Sequence, residues 1–263
     1  MPFTDLNDIR LYYDGHGEGE PLVLLHGFSL DRRMWQPQVE FFRDRYHVIT
    51  PDARGHGLSD APLSGYSRAD RVNDLAGLVD NLDIGSFHLV GLSMGGATAL
   101  GYALAHQERL KSLTLVSTGA AGYSIGKKFT SLDQVGREQG AAVALEKWKS
   151  WSLSFYKEDR RELRDLLDSM MSAYSGAVWR DPMRGKYPPE DDLSRVAGIT
   201  VPTAIFAGAL DKVFVTLAEQ LHERIAGSRL SIYPKTGHML NLEEPNRFNA
   251  DLKVFLEGVT EGK

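Results

Sequence analysis

Short apolar segments alternate with amphipathic segments along most of the 263-residue chain, and this alternation restricts the fold more than any other feature. Six runs have the nearly continuous hydrophobic character of strands covered on both faces. These runs are residues 21–27, 46–52, 87–93, 110–118, 202–208 and 229–234. Helix candidates are residues 34–44, 67–82, 94–106, 214–226 and 244–257. The pattern predicts an α/β fold with a mostly parallel sheet and helices on both sides, preceded by an antiparallel edge strand within residues 9–21.

The alternation is interrupted once, between the fourth and fifth apolar runs. From about residue 123 to 193 no buried-strand pattern occurs, and the segment reads as helical. An insertion of this length in a sheet domain usually has a function. We therefore predict a core domain formed by residues 1–122 and 194–263 and a helical cap, or lid, formed by residues 123–193.

Composition narrows the class of protein. The chain is 42% hydrophobic and 25% charged, carries a net charge of −5 and contains no cysteine. This mildly acidic balance argues against nucleic-acid and anionic-membrane partners, and no apolar run approaches the ~20 residues of a membrane span. Disulfides, thiolate metal sites and a cysteine nucleophile are excluded. The first residues lack a basic-then-apolar leader pattern, so a cytoplasmic location is expected.

Ser93 lies at the end of the apolar run 87–93, with Gly91 and Gly95 two residues away on either side and a helix candidate directly after it. We call residues 91–96 the elbow. A sharp strand-to-helix turn strains its central residue and projects that side chain outward, and neighbouring side chains would collide there. A serine is also a good helix N-cap, but the strand–helix context favours a catalytic nucleophile.

A serine nucleophile needs a base and an acid that orients the base. His238 follows the last predicted strand, and Asp211 follows the strand before it, so both are expected at the carboxyl edge of the sheet with Ser93. The alternatives are a surface histidine and a turn or cap aspartate. The sequence predicts the triad Ser93, Asp211 and His238.

An oxyanion also needs hydrogen-bond donors. The backbone N–H of Met94 is one predicted donor, and that of Phe28, after the first parallel strand, is the second. His26 is expected to hold this loop by hydrogen bonds, and His56 to bond the backbone of its own glycine-rich loop.

Five segments of the chain, "LVLLHGFSLDRRMW", "VITPDARGHGLSD", "LVGLSMGGATAL", "IFAGALDKV" and "GHMLNLEEP", resemble the α/β-hydrolase superfamily. Within it, they are most similar to small bacterial carboxylesterases and 3-oxoadipate enol-lactonases. The resemblance covers nearly the whole chain. It implies an eight-stranded, mostly parallel sheet, a helical cap after the sixth strand, and hydrolysis of carboxylic esters or lactones through an acyl-enzyme.

The resemblance leaves alternatives open. Meta-cleavage hydrolases of C–C bonds share the pattern but carry a Gly-Pro-Gly-type loop where this chain has "HGFSLDRR". An enol-lactonase must hold a substrate carboxylate; Arg32 and Arg33 carry the charge for this, but they are expected to be the solvated start of a helix. A ligand-binding or signalling protein of the same fold with slow hydrolysis is the alternative from another class.

Pocket residues are expected near the triad and under the cap. Proximity predicts Trp35, Val213, Met239 and Trp151 as residues that line the substrate pocket, while most cap aromatics are expected to pack the cap helices. No metal-ligand spacing occurs and no cofactor is implied. The expected partners are a small-molecule ester or lactone and water, and the chain is expected to be a monomer or homodimer.

Overall fold

The computed structural model describes residues 2–6, 8–124, 127–156 and 160–261. Within them lies one eight-stranded sheet in the order β1-β2-β4-β3-β5-β6-β7-β8. The strands are β1 (Phe3–Asp5), β2 (Arg10–His16), β3 (Glu20–Leu25), β4 (Tyr46–Pro51), β5 (Phe87–Leu92), β6 (Leu110–Val116), β7 (Thr203–Gly208) and β8 (Arg229–Tyr233). The six predicted apolar runs thus correspond to β3–β8.

Strands β3–β8 run parallel, and β1 and β2 pair antiparallel at one edge. The predicted eight-stranded, mostly parallel sheet is therefore confirmed. The predicted edge strand forms β2 and is antiparallel as expected, but it is not the edge of the sheet. The edge is β1, which has only three residues and no run of its own in the apolar pattern. All residues of β5 and β7 are buried, as continuous hydrophobic character predicts.

The described helices lie between and after the strands. They are α1 (Gln36–Phe42), α2 (Arg68–Asn81), α3 (Met94–His106), α4 (Lys127–Gln139), α5 (Ala141–Leu153), α6 (Arg161–Ala173), α7 (Ala177–Arg180), α8 (Lys212–Arg224), α9 (Leu240–Glu243) and α10 (Pro245–Glu261). Ser67 begins α2 with a capping box to Asp70. None of these helices, within the described part of the chain, combines the length and apolar character needed to cross a bilayer.

Alternate residues of each central strand face opposite sides of the sheet and enter two separate cores. On β3, Val23 faces the core that contains α2, α3 and α8, and Leu24 faces the core that contains α1 and α10. Helices therefore cover both faces. The carboxyl ends of the parallel strands meet at one edge, where the loops that follow β3, β4, β5, β7 and β8 lie.

Helices α4–α7, which we call the inserted helices, lie between β6 and β7 in the chain. Several of their side chains form a third core with Tyr66 and Phe28, two residues from loops at the carboxyl edge. The division into a core and a cap at residues 123 and 193 remains a prediction. Residues 125, 126 and 157–159 of the predicted cap, and 1, 7, 262 and 263 of the predicted core, lie outside the described residues.

Candidate active site

Ser93 links β5 to α3 in a strained turn. Its φ of 55° and ψ of −109° are unusual for a residue with a side chain. A Cβ on Gly91 would collide with the carbonyl of Gly95, and a Cβ on Gly95 would collide with the carbonyls of Leu25 and His26. The elbow therefore requires glycine at both positions, as the sequence predicts.

The Ser93 side chain makes no capping hydrogen bond to α3. This disfavours the alternative in which the serine only begins the helix. Met94 is the first residue of α3, and the first N–H groups of a helix have no acceptor within it. The positive end of the helix dipole lies at the same point. The turn thus presents a hydroxyl beside a backbone donor suited to negative charge.

Asp211 and His238 are brought into direct contact. His238 Nδ1 lies 2.5 Å from Asp211 Oδ2, so the Nδ1–H donates to the carboxylate and Nε2 is left as the basic nitrogen. The two side chains are 27% and 16% exposed, open enough for a small reactant to approach. Asp211 follows β7 and His238 follows β8, two neighbouring parallel strands, while Ser93 follows β5 at the same edge.

Glu243 in α9 holds the loop that carries the histidine, and sequence reasoning did not single it out. Its carboxylate accepts from the N–H of Gly237 (2.9 Å) and of Met239 (3.1 Å), on both sides of His238. Arg160 pairs with the same carboxylate, which is 4% exposed. We call residues 234–239 the base loop. The signal in the sequence, a glutamate five residues after a histidine, is too common to indicate this role by itself.

Two buried histidines join the loops that follow β3 and β4. The N–H of Ala53 donates to His26 Nε2 (2.9 Å), so His26 Nδ1–H donates to the carbonyl of Gly27 (2.8 Å). The N–H of Ser29 donates to His56 Nε2 (3.1 Å), so His56 Nδ1–H donates to the carbonyl of Arg54 (2.9 Å).

Both imidazoles are neutral in this arrangement. Burial lowers the pKa of His26 below its ordinary range and that of His56 well below it. The structural roles predicted for both histidines are confirmed by these contacts. We call residues 26–31 the oxyanion loop, after the predicted role of Phe28. The histidines fix this loop to its neighbour.

The charges of Arg32 and Arg33 are matched by carboxylates. Arg32 pairs with Asp14 (2.5 Å) and with the buried Asp52 (2.7 Å), and Arg33 pairs with Asp31 (2.7 Å). The expectation of a solvated helix start is wrong for Arg32, whose side chain is only 18% exposed because it spans two acidic neighbours.

The four predicted pocket residues occupy different environments. Trp35 is fully buried against Phe248, with ring centroids 6.2 Å apart, so it belongs to the core and presents no surface to a pocket. Met239 is also buried, beside the base loop histidine. Val213 is 38% exposed next to Asp211, and Trp151 is partly exposed in α5 beside Trp148.

In the residues that the structure describes, no three histidine, aspartate or glutamate side chains form a group that could hold a metal ion. A hydroxyl, an imidazole with its carboxylate, and an unpaired helix N–H are the groups that acyl transfer requires.

Known proteins are similar to this chain over nearly its whole length. Residues 22–251 match the sequence model of the alpha/beta hydrolase family. The chain is 30% identical over 254 residues to 3-oxoadipate enol-lactonase 2 of Acinetobacter baylyi, covering 95% of this chain and 94% of that protein.

Solved structures of other proteins have a similar fold. An enol-lactonase from Burkholderia xenovorans LB400 is 25% identical, with a TM-score of 0.86 over 97% of this chain and 100% of that one. A thermophilic esterase from Thermogutta terrifontis is 29% identical, with a TM-score of 0.83 over 95% and 94%. On the matching sequence model and on this fold, the chain belongs to the alpha/beta hydrolase family.

Proposed function

We propose that the protein is a serine hydrolase that cleaves carboxylic esters or lactones through an acyl-enzyme. The observation that carries the proposal is the strained serine of the elbow at the same sheet edge as the 2.5 Å contact between His238 and Asp211. A lone G-x-S-x-G pattern would not suffice, but an oriented imidazole at this edge supplies the base that a serine requires.

Each group has a defined role in the proposed reaction. His238 Nε2 removes the proton of Ser93 Oγ, which attacks the carbonyl carbon, and the N–H groups of Phe28 and Met94 stabilise the oxyanion. Asp211 fixes the imidazole tautomer and stabilises its positive charge. The imidazolium then protonates the leaving alkoxide, and His238 activates water to release the acid and regenerate Ser93.

The first experiment compares the wild type with Ser93→Ala on p-nitrophenyl esters from acetate to decanoate. Loss of the nucleophile should lower kcat by at least about a thousandfold. Ser86→Ala, which changes an exposed serine just before β5, is the matched control and should retain wild-type kcat. Full activity in Ser93→Ala would refute the proposal.

Hydrolysis of a 3-oxoadipate-type enol-lactone is the second candidate, favoured by the enol-lactonase relatives. Such a substrate carries a carboxylate, and Arg32 and Arg33 are already paired. Arg71 of α2 is the candidate to bind that carboxylate, because it has no carboxylate at ion-pair distance among the described residues. Its Nε donates to Thr98 Oγ1 at 3.1 Å, and Thr98 lies one turn after Met94 in α3. Adding a carboxylate-bearing lactone and its methyl ester to the substrate series distinguishes the two candidates, because only the second predicts preference for the free acid.

A binding protein with vestigial hydrolysis is the alternative from another class, and turnover number separates it from an enzyme. An enzyme releases many equivalents of nitrophenol per chain, whereas a receptor of this kind stops after about one. We expect many equivalents, because water can reach the partly exposed His238 and complete the second half of the cycle.

A further inference from the structure

One hydrogen bond joins the inserted helices directly to the oxyanion loop. The indole Nε1–H of Trp148, in α5, donates to Ser29 Oγ at 2.6 Å. The two residues are 119 positions apart in the chain. Ser29 directly follows Phe28, whose backbone N–H is a proposed oxyanion donor. A side chain of the insertion therefore reaches the residue next to the reacting centre.

Ser29 is held at two further points. It is fully buried and has a φ of 59°, a conformation that few residues other than glycine adopt without support. Its N–H donates to His56 Nε2 at 3.1 Å, and the His56 ring in turn stacks on Tyr174, with centroids 4.4 Å apart. Tyr174 directly follows α6, so a second contact from the insertion between β6 and β7 supports the same serine.

Trp148 also touches the neighbouring residue of the loop. Its ring lies 5.4 Å from the ring of Phe28 in an edge-to-face arrangement. The ring of Tyr174 lies at the same distance from Phe28. The side chain of Phe28 and the hydroxyl of Ser29 are thus both restrained by Trp148. This limits rotation about the backbone bonds of Phe28 and so holds the peptide unit before it, which carries the Phe28 N–H.

We propose that Trp148 is a positioning residue, which orients the Phe28 N–H by holding Ser29 and so couples docking of α5 to assembly of the oxyanion hole. The inference rests on the proposed function. Removal of an oxyanion donor typically costs about 10²–10³ in kcat. Loosening a donor that remains present should cost less, roughly tenfold.

Two other roles would give different kinetics. If Trp148 contacted the substrate, its loss would raise KM with little change in kcat. If it only packed the inserted helices together, its loss would lower the melting temperature and leave the kinetic constants of the folded protein unchanged. A positioning role predicts lower kcat at nearly constant KM.

The test uses Trp148→Phe, Ser29→Ala and the double variant, each checked by thermal unfolding. Phenylalanine keeps an aromatic ring at position 148 and removes the Nε1–H donor together with part of the indole, and thermal unfolding measures the cost of the lost ring volume separately. We expect each single variant to lower kcat for p-nitrophenyl acetate roughly tenfold with KM within about twofold, and the double variant to fall no further, since both changes break one bond. If the loss of kcat in the double variant equalled the product of the two single losses, or if the variants changed KM alone, the proposal would be overturned.

A tetrahedral adduct provides an independent readout. A trifluoromethyl ketone accepts Ser93 Oγ at its carbonyl carbon while the serine proton passes to His238, and its oxygen becomes the oxyanion. The inhibition constant should rise in Trp148→Phe by the same factor as kcat/KM falls; an unchanged constant would contradict the inference. This measurement needs only Trp148→Phe, so the conclusion stands even if Ser29→Ala does not fold.

Failure of the proposed function would be visible separately. In that case the wild type shows no Ser93-dependent turnover, and both proposals are overturned together. If the wild type turns over through Ser93 but Trp148→Phe matches it in kcat and in inhibition, only the positioning role is overturned.

Discussion

At the scale of single residues, the site depends on side chains that do not react. Glu243 is the strongest example, because its buried carboxylate binds the N–H groups before and after His238. Hydrogen bonds to charged groups contribute about 1.5–3 kcal/mol each, more than ordinary ones. Such a residue supports the backbone of the loop that carries the imidazole.

Glu243→Gln should therefore lower kcat roughly tenfold, a loss of about 1.4 kcal/mol in transition-state stabilisation. The amide keeps one acceptor oxygen but places a donor toward the N–H of Gly237, so the base loop loses part of its support. Steady-state kinetics on a p-nitrophenyl ester measures the change. Glu244→Gln is the control, because Glu244 pairs with Arg247 and not with the base loop. If a folded Glu243→Gln protein kept wild-type kcat, the carboxylate of Glu243 would not position His238.

At the scale of elements, the sequence predicted the parts of the fold that depend on local pattern. The predicted helix 94–106 has the same bounds as α3. Strands β3–β8 correspond to the six apolar runs, because strands buried on both faces consist almost entirely of hydrophobic residues. The three-residue β1 was not predicted, because its own residues show no strand pattern and it forms a strand by pairing with β2.

Contacts between distant segments account for most of what the sequence did not predict about the site. Trp35 was expected in a pocket by its position after the oxyanion loop, but it packs against Phe248 from α10. Trp148 donates to a hydroxyl 119 residues away in the chain. Glu243 is near His238 in the chain, but it binds backbone N–H groups, which no pattern of side chains indicates. Periodicity contains no information on such pairings, whereas the elbow was predictable because its serine and its glycines all lie within six residues.

The elbow is also an element whose glycines can be tested. In Gly91→Ala the new methyl group meets the backbone carbonyl of Gly95, which cannot move without displacing α3 from β5. Overpacking of this kind typically costs about 1–3 kcal/mol, and we expect lower thermal stability together with lower kcat. Gly85→Ala is the matched control, since a Cβ at Gly85 meets no atom within 4 Å. Equal melting temperatures for Gly91→Ala and Gly85→Ala would contradict the steric explanation.

At the scale of the whole molecule, the buried histidines link stability to pH. His26 and His56 are neutral and hydrogen-bonded in the folded state, and burial lowers the pKa of each. In the unfolded chain both return to ordinary values of about 6.5. Below that pH the unfolded state therefore binds more protons than the folded state, so the stability present at neutral pH is lost as the pH falls.

The melting temperature should accordingly decrease as the pH is lowered from about 7.5 toward 5, by about 2–4 °C for each kcal/mol lost in a protein of this size.

Other groups titrate in the same range, so the informative comparison is with His56→Gln. Glutamine can accept from the N–H of Ser29 and donate to the carbonyl of Arg54, yet it does not titrate. Its melting temperature should fall less steeply with pH than that of the wild type; an equal or steeper fall would mean that protonation of His56 does not contribute to acid unfolding. Because His56 Nε2 holds Ser29, the same protonation would release the oxyanion loop, and activity should be lost in parallel with stability.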